Sequence, residues 1–438
     1  MRILVISHNP FGNENNMGRT LKSYFDGFEK HELAQLYVRS DKPDMTVCDN
    51  YYRITDADML KSVLTRKSGR VVSREAVDPP TVTTESAPQK KPSGKRKLLS
   101  ALYKKGKSRS PEILFARDML WKVGAWKTPA LCKWVDDFDP EVVFLASGDY
   151  AFIYDVAHTL ARERRIPLFV CCVDDFYFFN KNGDRALGRS IHSSFMKRVG
   201  RCMEYARGVF TICDKMSEDY GSLFNKPCYT VYTPYSVGDG RKAGGGEGIC
   251  YLGNISCGRA ESLAKIGRAL KSIDEGMRLT VYSPETREEF LSYMTEENGI
   301  DFRGRIPTEE VRGVMDSSMA VIHTESFAEI DMGRVKYSVS TKIADSLAYG
   351  CCIFAFGPMD VESVRYLYDS GTAICATSED ELKSSLNTLL YNSEERERCR
   401  EAAYLLGRKN HDPKKNQDTI RKALSEAVAS FGAVETDK

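Results

Sequence analysis

Residues 301–358 decide the predicted fold of this chain and read DFRGRIPTEEVRGVMDSSMAVIHTESFAEIDMGRVKYSVSTKIADSLAYGCCIFAFGP. Apolar runs predict one strand at residues 319–323 and another at residues 351–356. Between them, a helix is predicted to begin near Ser340 and to end at Gly350, because glycine commonly ends helices. Strand, helix and strand in this order form one half of a doubly wound α/β sheet, in which ligands bind at the carboxyl ends of the strands.

The first residues of that helix, Ser340, Thr341 and Lys342, form a candidate anion site. A helix N-terminus has free N–H groups and a partial positive charge. Two hydroxyls and a lysine at such a place suit a phosphate group. The alternative is that Lys342 is an ordinary exposed lysine on a helix.

A family resemblance follows from these motifs. FRGRIP, a helix, an apolar strand, STKIADSLAYG and a strand ending in Gly357-Pro358 together resemble the donor half of glycosyltransferases of the GT-B fold. The resemblance is strongest over residues 249–358. It implies an α/β protein of two Rossmann-like domains that face each other across a cleft for a nucleotide sugar. It also implies a metal-independent hexosyltransferase that uses a UDP- or GDP-linked sugar as co-substrate and no other cofactor.

The resemblance assigns roles to individual residues of this sequence. The implied donor-binding residues are Gly18, Arg259, Ile306, Glu325, Ser340, Thr341, Lys342 and Asp345. Arg259 and Lys342 would meet the donor diphosphate, and Asp345 would hold the ribose hydroxyls. Fixed positive charge at such a site stabilises the leaving diphosphate without a metal. The alternatives are a turn glycine at Gly18 and a surface arginine at Arg259.

Two positions near the implied sugar site need separate comment. The common retaining pattern has a glutamate eight residues before the acid that corresponds to Asp345, and this sequence has Tyr337 there. The departure leaves the stereochemical outcome open, with Glu325 as a substitute contact to the sugar. Ile306 lies in the segment GRIP, whose backbone groups would lie beside the base.

Asp174 and Asp175 are the candidate catalytic residues of the first half of the chain. They follow the predicted strand at residues 167–173, so they lie at the carboxyl end of a strand. A carboxylate there could take the proton of an acceptor hydroxyl. The alternative is that one of them caps the next element or pairs with an arginine.

Composition and length predict a two-domain protein without a membrane span. The chain has 438 residues, 42% of them hydrophobic, and a net charge of +2, which argues against a general nucleic-acid binder. No apolar run reaches the ~18 residues that a membrane helix needs. The thirteen cysteines include no CxxC pair and several lie in apolar runs, which favours reduced thiols in a cytoplasmic protein.

The predicted domains are residues 1–237, on the acceptor side, and residues 249–410, on the donor side. A glycine-rich linker at residues 238–248 separates them. Residues 411–438 are expected to form a helix that crosses back to the first domain, as in the resembled family. A long insertion is predicted at residues 68–110, where apolar residues are few.

Within the insertion, residues 90–109 are strongly basic. The basic residues are Lys90, Lys91, Lys95, Arg96, Lys97, Lys104, Lys105, Lys107 and Arg109, with no acid between them. Leucines at helical spacing are interleaved, a combination that suits an anionic membrane surface at the inner leaflet. A solvated basic loop is the alternative, and nucleic acid is not an expected partner because aromatic residues are few.

The functional hypothesis is a glycosyltransferase that moves a sugar from a nucleotide sugar to a saccharide or lipid-linked acceptor. The resemblance suggests bacterial cell-surface polysaccharide assembly as its context. Two alternatives stay open: a nucleotide-sugar epimerase of similar shape, and a non-catalytic relative that binds nucleotide sugars or scaffolds a complex.

Overall fold

A computed structural model describes residues 1–73, 111–180, 183, 185–235 and 246–436. The basic segment at residues 90–109, and most of the predicted insertion and linker, lie outside the described residues. The chain divides into two compact units. Residues 1–210, 220–229 and 420–438 form the first, and residues 211–219 and 230–419 form the second.

Each unit is built on a sheet whose central strands are parallel. Within the described residues, eight strands form the first sheet, in the order β4-β3-β2-β1-β5-β6-β7-β8. They are β1 (Ile3–Ser7), β2 (Leu33–Tyr37), β3 (Asn50–Arg53), β4 (Arg70–Val72), β5 (Val142–Ala146), β6 (Leu168–Cys172), β7 (Gly208–Thr211) and β8 (Cys228–Thr230). Every residue of β1, β2, β5 and β6 is buried, as expected for parallel strands covered on both faces. Only the β3–β4 pair is described as antiparallel.

Helices cover the first sheet. They are α1 (Asn16–Phe25), α2 (Asp56–Thr65), α3 (Pro111–Val123), α4 (Pro129–Phe138), α5 (Ala151–Arg164) and α6 (Ala186–Tyr205), and α7 (Asp214–Phe224) is divided between the two units. Local signals explain several starts. The Asn15 side chain accepts from the Gly18 N–H at the start of α1, and Thr128 caps α4 with a proline at its first position.

The second sheet has the strand order of a dinucleotide-binding domain. In the described residues its six strands run β11-β10-β9-β12-β13-β14, and every neighbouring pair is parallel. They are β9 (Gly248–Leu252), β10 (Leu279–Tyr282), β11 (Ile300–Gly304), β12 (Ser318–Thr324), β13 (Ile353–Phe356) and β14 (Ala373–Ala376). Numbered within the unit, this order is 3-2-1-4-5-6, and it reverses between β9 and β12. Ligands of such sheets bind beside that reversal.

The helices of the second unit follow the alternating pattern that the sequence predicted. They are α8 (Arg259–Ile273), α9 (Glu288–Leu291), α10 (Val311–Asp316), α11 (Glu329–Val335), α12 (Thr341–Ala348), α13 (Glu362–Asp369), α14 (Glu379–Tyr391) and α15 (Ser393–Asn410). The last helix, α16 (Pro413–Thr436), is divided between the two units and belongs to the first from Ile420 onward. Helix α12 packs closely on α15. A Cβ added to Gly407 on α15 would lie only 2.5 Å from the Ala348 nitrogen on α12, so there is room only for glycine. This contact fixes the helix that carries the predicted anion site.

The two parallel α/β units confirm the predicted fold class. The start of the stretch that decided the predicted fold, residues 301–304, lies in the edge strand β11, which pairs with β10. None of the described helices is long and apolar enough to cross a lipid bilayer. All thirteen cysteines are free thiols.

Candidate functional site

Four of the predicted donor residues line one cavity at the carboxyl ends of β9 and β12, where the strand order of the second sheet reverses. The cavity has a volume of about 80 Å³. Its polar lining includes Arg259, His323, Thr324, Glu325, Ser340, Lys342 and Ser346. This volume admits a phosphate-sized group rather than a whole nucleotide sugar.

Arg259 and Glu325 form a two-pronged ion pair in this cavity. The Arg259 Nε and Nη2 donate to the two carboxylate oxygens of Glu325, each at 2.9 Å. The Glu325 side chain is only 3% exposed, and that of Arg259 is 19% exposed. Burial raises the pKa of Glu325, while Arg259 and Lys342 act against that rise. Since Arg259 stays charged, the pair holds the guanidinium in one orientation beside the cavity.

The backbone also fixes both members of the pair. Gly258, just before α8, has a φ of +71°, and a Cβ there would lie 2.2 Å from the Ser326 Oγ. Glycine is therefore required at the turn that delivers Arg259. On the other side, the Glu325 N–H donates to the Phe356 carbonyl, and the Ser262 hydroxyl donates to the Glu325 carbonyl.

Lys342 brings a second cation to the same cavity. Its Nζ lies close to the chain at Gly253, since a Cβ on that glycine would be 1.9 Å away from it. Although the residue as a whole is exposed, its ammonium group is enclosed. Burial, and then the charge of Arg259, lowers the pKa of Lys342 to about 8, against the opposing effect of Glu325. At neutral pH the charged groups that line the cavity are therefore two cations, Arg259 and Lys342, and one carboxylate, Glu325.

His323 is a neutral member of the cavity wall. Its Nε2 lies 2.9 Å from the Ser363 hydroxyl at the start of α13. Burial, then Arg259 and Lys342, lowers the pKa of His323 to about 3. Sequence reasoning singled out neither the His323–Ser363 contact nor the pairing of Glu325 with Arg259. Both depend on long-range contacts that leave no local pattern.

Four further residues predicted for the donor site differ in burial and in whether they line the cavity. Ser340 caps α12, with its hydroxyl accepting from the Lys342 N–H at 3.3 Å, and Thr341 is exposed at the first helical position. Asp345 is not among the residues that line the cavity, whereas its neighbour Ser346 is. Ile306 is half-buried just after β11, away from the cavity lining. The roles of these four residues stay predictions.

Tyr337, which occupies the place of the missing glutamate, is buried and hydrogen-bonded. It is 1% exposed, and its hydroxyl donates to the Asp219 carboxylate at 2.7 Å. Lys215 also pairs with Asp219, at 2.9 Å. Burial acts to raise the pKa of Asp219, but the bonds from Tyr337 and Lys215 bring it below its usual value. Residue 337 thus supplies a hydroxyl where the common pattern has an acid.

In the first unit, Gly18 lies in the first turn of α1. A Cβ on it would be 2.6 Å from the Pro10 carbonyl oxygen and 3.2 Å from the Gly12 carbonyl oxygen. Close packing of the loop before α1 thus explains this glycine, as the turn-geometry alternative expected. Its predicted contact with substrate stays a prediction.

Asp175 caps the chain that follows β6. Its carboxylate accepts from the N–H groups of Tyr177, Phe178 and Phe179, and from the Tyr220 hydroxyl at 3.1 Å. The structure thus matches the capping alternative for Asp175. Asp174 is half-buried, and its Oδ1 accepts from the Asp175 N–H. Of the two catalytic predictions, Asp174 is the one with fewer described structural bonds.

Comparison with known proteins gives one family match and several structural matches. Residues 259–422 match the family model described as glycosyl transferase-like. No curated protein sequence matches this chain significantly. Among solved structures, HepE of Anabaena in complex with UDP has a TM-score of 0.61 at 11% identity, covering 97% of this chain and all of the other.

Two further structures share the fold. Sucrose-phosphate synthase of Thermosynechococcus elongatus has a TM-score of 0.59 at 9% identity, over 98% of this chain and 100% of its own. Trehalose 6-phosphate synthase of Burkholderia multivorans has a TM-score of 0.57 at 11% identity, over 99% and 98%. Together with the glycosyl transferase-like match over residues 259–422, these structures confirm the GT-B fold that the sequence resemblance implied.

Proposed function

We propose that this protein is a hexosyltransferase that moves a sugar from a nucleoside-diphosphate sugar to a saccharide or lipid-linked acceptor. The observation that carries the proposal is the convergence of Arg259 and Lys342 on one cavity, at the reversal point of the second sheet. HepE, which shares the fold, has been crystallised with UDP-glucose. That complex supports UDP as the first nucleotide to test and a hexose as the transferred group.

The proposed chemistry is displacement at the anomeric carbon with a nucleoside diphosphate as leaving group. The bond from the anomeric carbon to the diphosphate oxygen breaks, and the acceptor oxygen forms the new bond. Arg259, Lys342 and the N-terminus of α12 would stabilise the negative charge that develops on the leaving oxygen. Because three fixed positive groups serve this purpose, the proposed mechanism assigns no step to a metal ion.

In this mechanism, the donor diphosphate would partly replace Glu325 as the partner of Arg259. The guanidinium of Arg259 is held by the Glu325 carboxylate, which offers the same two-oxygen geometry as a phosphate. The diphosphate would take over part of this pairing when it binds. In the first unit, Asp174 is the proposed base for the acceptor hydroxyl, since the bonds described for Asp175 hold local structure.

The cellular setting is proposed to be an anionic membrane surface where polysaccharides are assembled. In the sequence, the described elements before the basic segment carry exposed apolar side chains. These include Leu60 and Leu64 on α2 and Val71 on β4. Exposed apolar side chains together with a basic sequence suit a lipid headgroup region. Deletion of residues 90–109 should abolish sedimentation with anionic liposomes; unchanged sedimentation would contradict the membrane proposal.

The central test is a thermal-shift comparison of wild type, Lys342→Ala and the matched surface variant Lys383→Ala. Lys383 is an exposed lysine on α14. UDP or GDP should raise the melting temperature of wild type and Lys383→Ala, but not of Lys342→Ala, because binding to the native state stabilises it. Equal shifts in all three proteins would exclude the proposed donor site.

A second candidate function is a non-catalytic nucleotide-sugar binder, and the Tyr337 hydroxyl in place of a carboxylate favours it. Product analysis separates the candidates once a donor has been identified by thermal shift. Glycosylated acceptor would establish transfer, and a changed sugar epimer would indicate an epimerase. Intact donor, with binding retained, would indicate the non-catalytic binder.

A further inference from the structure

A second cavity lies in the first unit, and none of the predicted donor residues lines it. It has a volume of about 570 Å³ and is bounded by α3, α5 and α6. The loop residues Asp149 and Tyr150, which follow β5, also line it. Small-molecule sites in proteins have volumes of roughly 300–1,000 Å³. The cavity is therefore of the size that holds a small ligand.

One wall of this cavity is an ordered set of ion pairs centred on Arg198. Its guanidinium donates to Asp155 on α5, with Nε to Oδ2 at 2.6 Å, and also to Asp118 on α3. Arg201 holds the other oxygen of Asp155. These carboxylates are partly exposed, with side-chain exposures of 30% for Asp118 and 27% for Asp155. Since an ionised carboxylate has about four acceptor positions, each retains acceptor capacity for hydroxyl groups.

The rest of the lining includes apolar and aromatic side chains. Trp121 and Phe152 are stacked with their ring centroids 4.0 Å apart, and together they form a rigid base. Phe115 and Met119, one turn apart on α3, remain 49% and 38% exposed, and Trp126 also lines the cavity. Rigid aromatic surfaces of this kind offer large contact area at little entropic cost.

The charges lining the cavity balance. Asp118, Asp149 and Asp155 face Lys122, Arg198 and Arg201, so a free phosphate or a metal cation finds no excess of opposite charge. A neutral ligand is favoured that has a hydroxyl rim and apolar faces. A sugar ring has both: its hydroxyls can bond to the fixed carboxylates and guanidiniums, and its C–H faces can lie on the aromatic side chains.

We propose that this cavity is a saccharide-binding site for neutral mono- and disaccharides. The proposal of a saccharide-binding site depends only on the geometry of the first unit. Its further assignment to the sugar part of the acceptor rests on the proposed function. The two ideas can fail separately, because saccharide binding here needs no nucleotide.

Intrinsic fluorescence tests the proposal, because two of the three tryptophans line the cavity. Trp121 and Trp126 lie there, whereas Trp134 is on α4, where its indole N–H donates to Asn50. Titration of the full chain with glucose, N-acetylglucosamine, maltose and cellobiose should give a saturable change with at least one sugar. The change should be reduced in Trp126→Phe, which leaves Trp121 as the remaining reporter in the cavity, and retained in full in Trp134→Phe.

Side-chain variants test the two parts of the lining. Phe115→Ala removes an exposed aromatic ring, and Asp118→Asn removes one fixed carboxylate; each should weaken saccharide binding by about tenfold. Tyr391→Ala removes a more exposed aromatic side chain on α14, 70% exposed, and should leave saccharide binding unchanged. Asp118→Asn is compared only if its circular dichroism matches wild type, and Phe115→Ala carries the test otherwise.

Three outcomes would overturn the proposal. The first is no saturable response to any of the four sugars, and the second is a response that Phe115→Ala and Trp126→Phe leave intact. The third is a response to inorganic phosphate in place of sugar. Lys342→Ala should bind saccharide as wild type does while losing the UDP-induced thermal shift, which keeps a failure here distinct from a failure of the donor site.

Discussion

Lys342 and Arg259 differ in how their charge responds to pH. The pKa of Lys342 is lowered to about 8, whereas Arg259 stays protonated throughout the accessible range. In the proposed donor site the protonated form would bind the diphosphate, and this form is lost as pH rises through that pKa. UDP affinity should therefore be highest near pH 7 and fall above about pH 8. Isothermal titration calorimetry across this range measures the fall.

Lys342→Arg is the matched variant for this pH profile. Its guanidinium stays charged, so the fall in affinity should move beyond about pH 10 even if absolute affinity decreases, since arginine and lysine differ in geometry. The measurement compares how UDP affinity changes with pH in the two proteins, rather than their absolute affinities. A fall above pH 8 of equal size in wild type and variant would assign the titration to another group.

Glu325 is expected to stabilise the unliganded second unit through its pairing with Arg259. Glu325→Gln removes the charge but keeps the shape, and loss of one partner from a buried ion pair costs about 3 kcal/mol. The expected result is a lower denaturation midpoint and a larger stabilisation by UDP than in wild type, because the diphosphate supplies the missing counter-charge. Urea unfolding with and without UDP measures both effects.

Glu379 provides the control for this substitution. It pairs with Lys265 at 2.6 Å, but its side chain is 59% exposed. Exposed ion pairs contribute about 0–1 kcal/mol, so Glu379→Gln should unfold nearly as wild type does. Equal midpoints for the two variants would mean that the Arg259–Glu325 pair stabilises no more than a surface pair.

At the scale of elements, the start of α8 depends on a single glycine. Gly258→Ala places a Cβ at a φ of +71° and against Ser326, so we expect a loss of stability of about 1–3 kcal/mol and weaker UDP binding as Arg259 shifts. Gly313→Ala is the control, since nothing lies within 4 Å of its Cβ position on α10. There the better helix propensity of alanine should stabilise the protein by up to about 1 kcal/mol. Thermal unfolding of both variants measures the expected loss and the expected gain in stability.

The same elements show how far the sequence could predict the structure. The start of α12 followed from its N-cap serine, and its end near Gly350 followed from a glycine, because these are local signals. Strand β3 at Asn50–Arg53 was not predicted, since its short aromatic run is completed only by pairing with β2. The pairing of Arg259 with Glu325 joins residues 66 positions apart. Such a contact depends on the strand order, which no local pattern records.

At the scale of the whole molecule, Glu32 joins both ends of the chain within the first unit. It accepts from the Met1 ammonium group at 3.3 Å and from Arg421 at 3.1 Å, and the Arg421 guanidinium lies 4.0 Å from the centre of the Phe28 ring. Burial acts to raise the pKa of Glu32, but Arg421, the Glu29 N–H and the N-terminus lower it overall. Glu32 therefore links the first strand region to the last helix electrostatically.

Arg421→Ala should reduce the stability of the first unit by about 1 kcal/mol at neutral pH. A carboxylate with a lowered pKa contributes stability above its unfolded pKa, near 4.5, and loses it as pH falls through the folded value. The difference from wild type should therefore shrink below about pH 4. Lys422→Ala, at the exposed neighbouring position, is the control and should show neither effect. A difference that persists unchanged in acid would assign the effect of Arg421 to its packing on Phe28.

The division of the chain has a consequence for its synthesis. The second unit uses residues 211–219 and 230–419, so all of its residues are translated before Ile420. The first unit begins with Met1 but includes residues from Ile420 onward. The half of the protein that is started first is therefore finished last. A nascent chain that stops before Ile420 can complete the nucleotide-side unit, while its N-terminal half waits for its last helix.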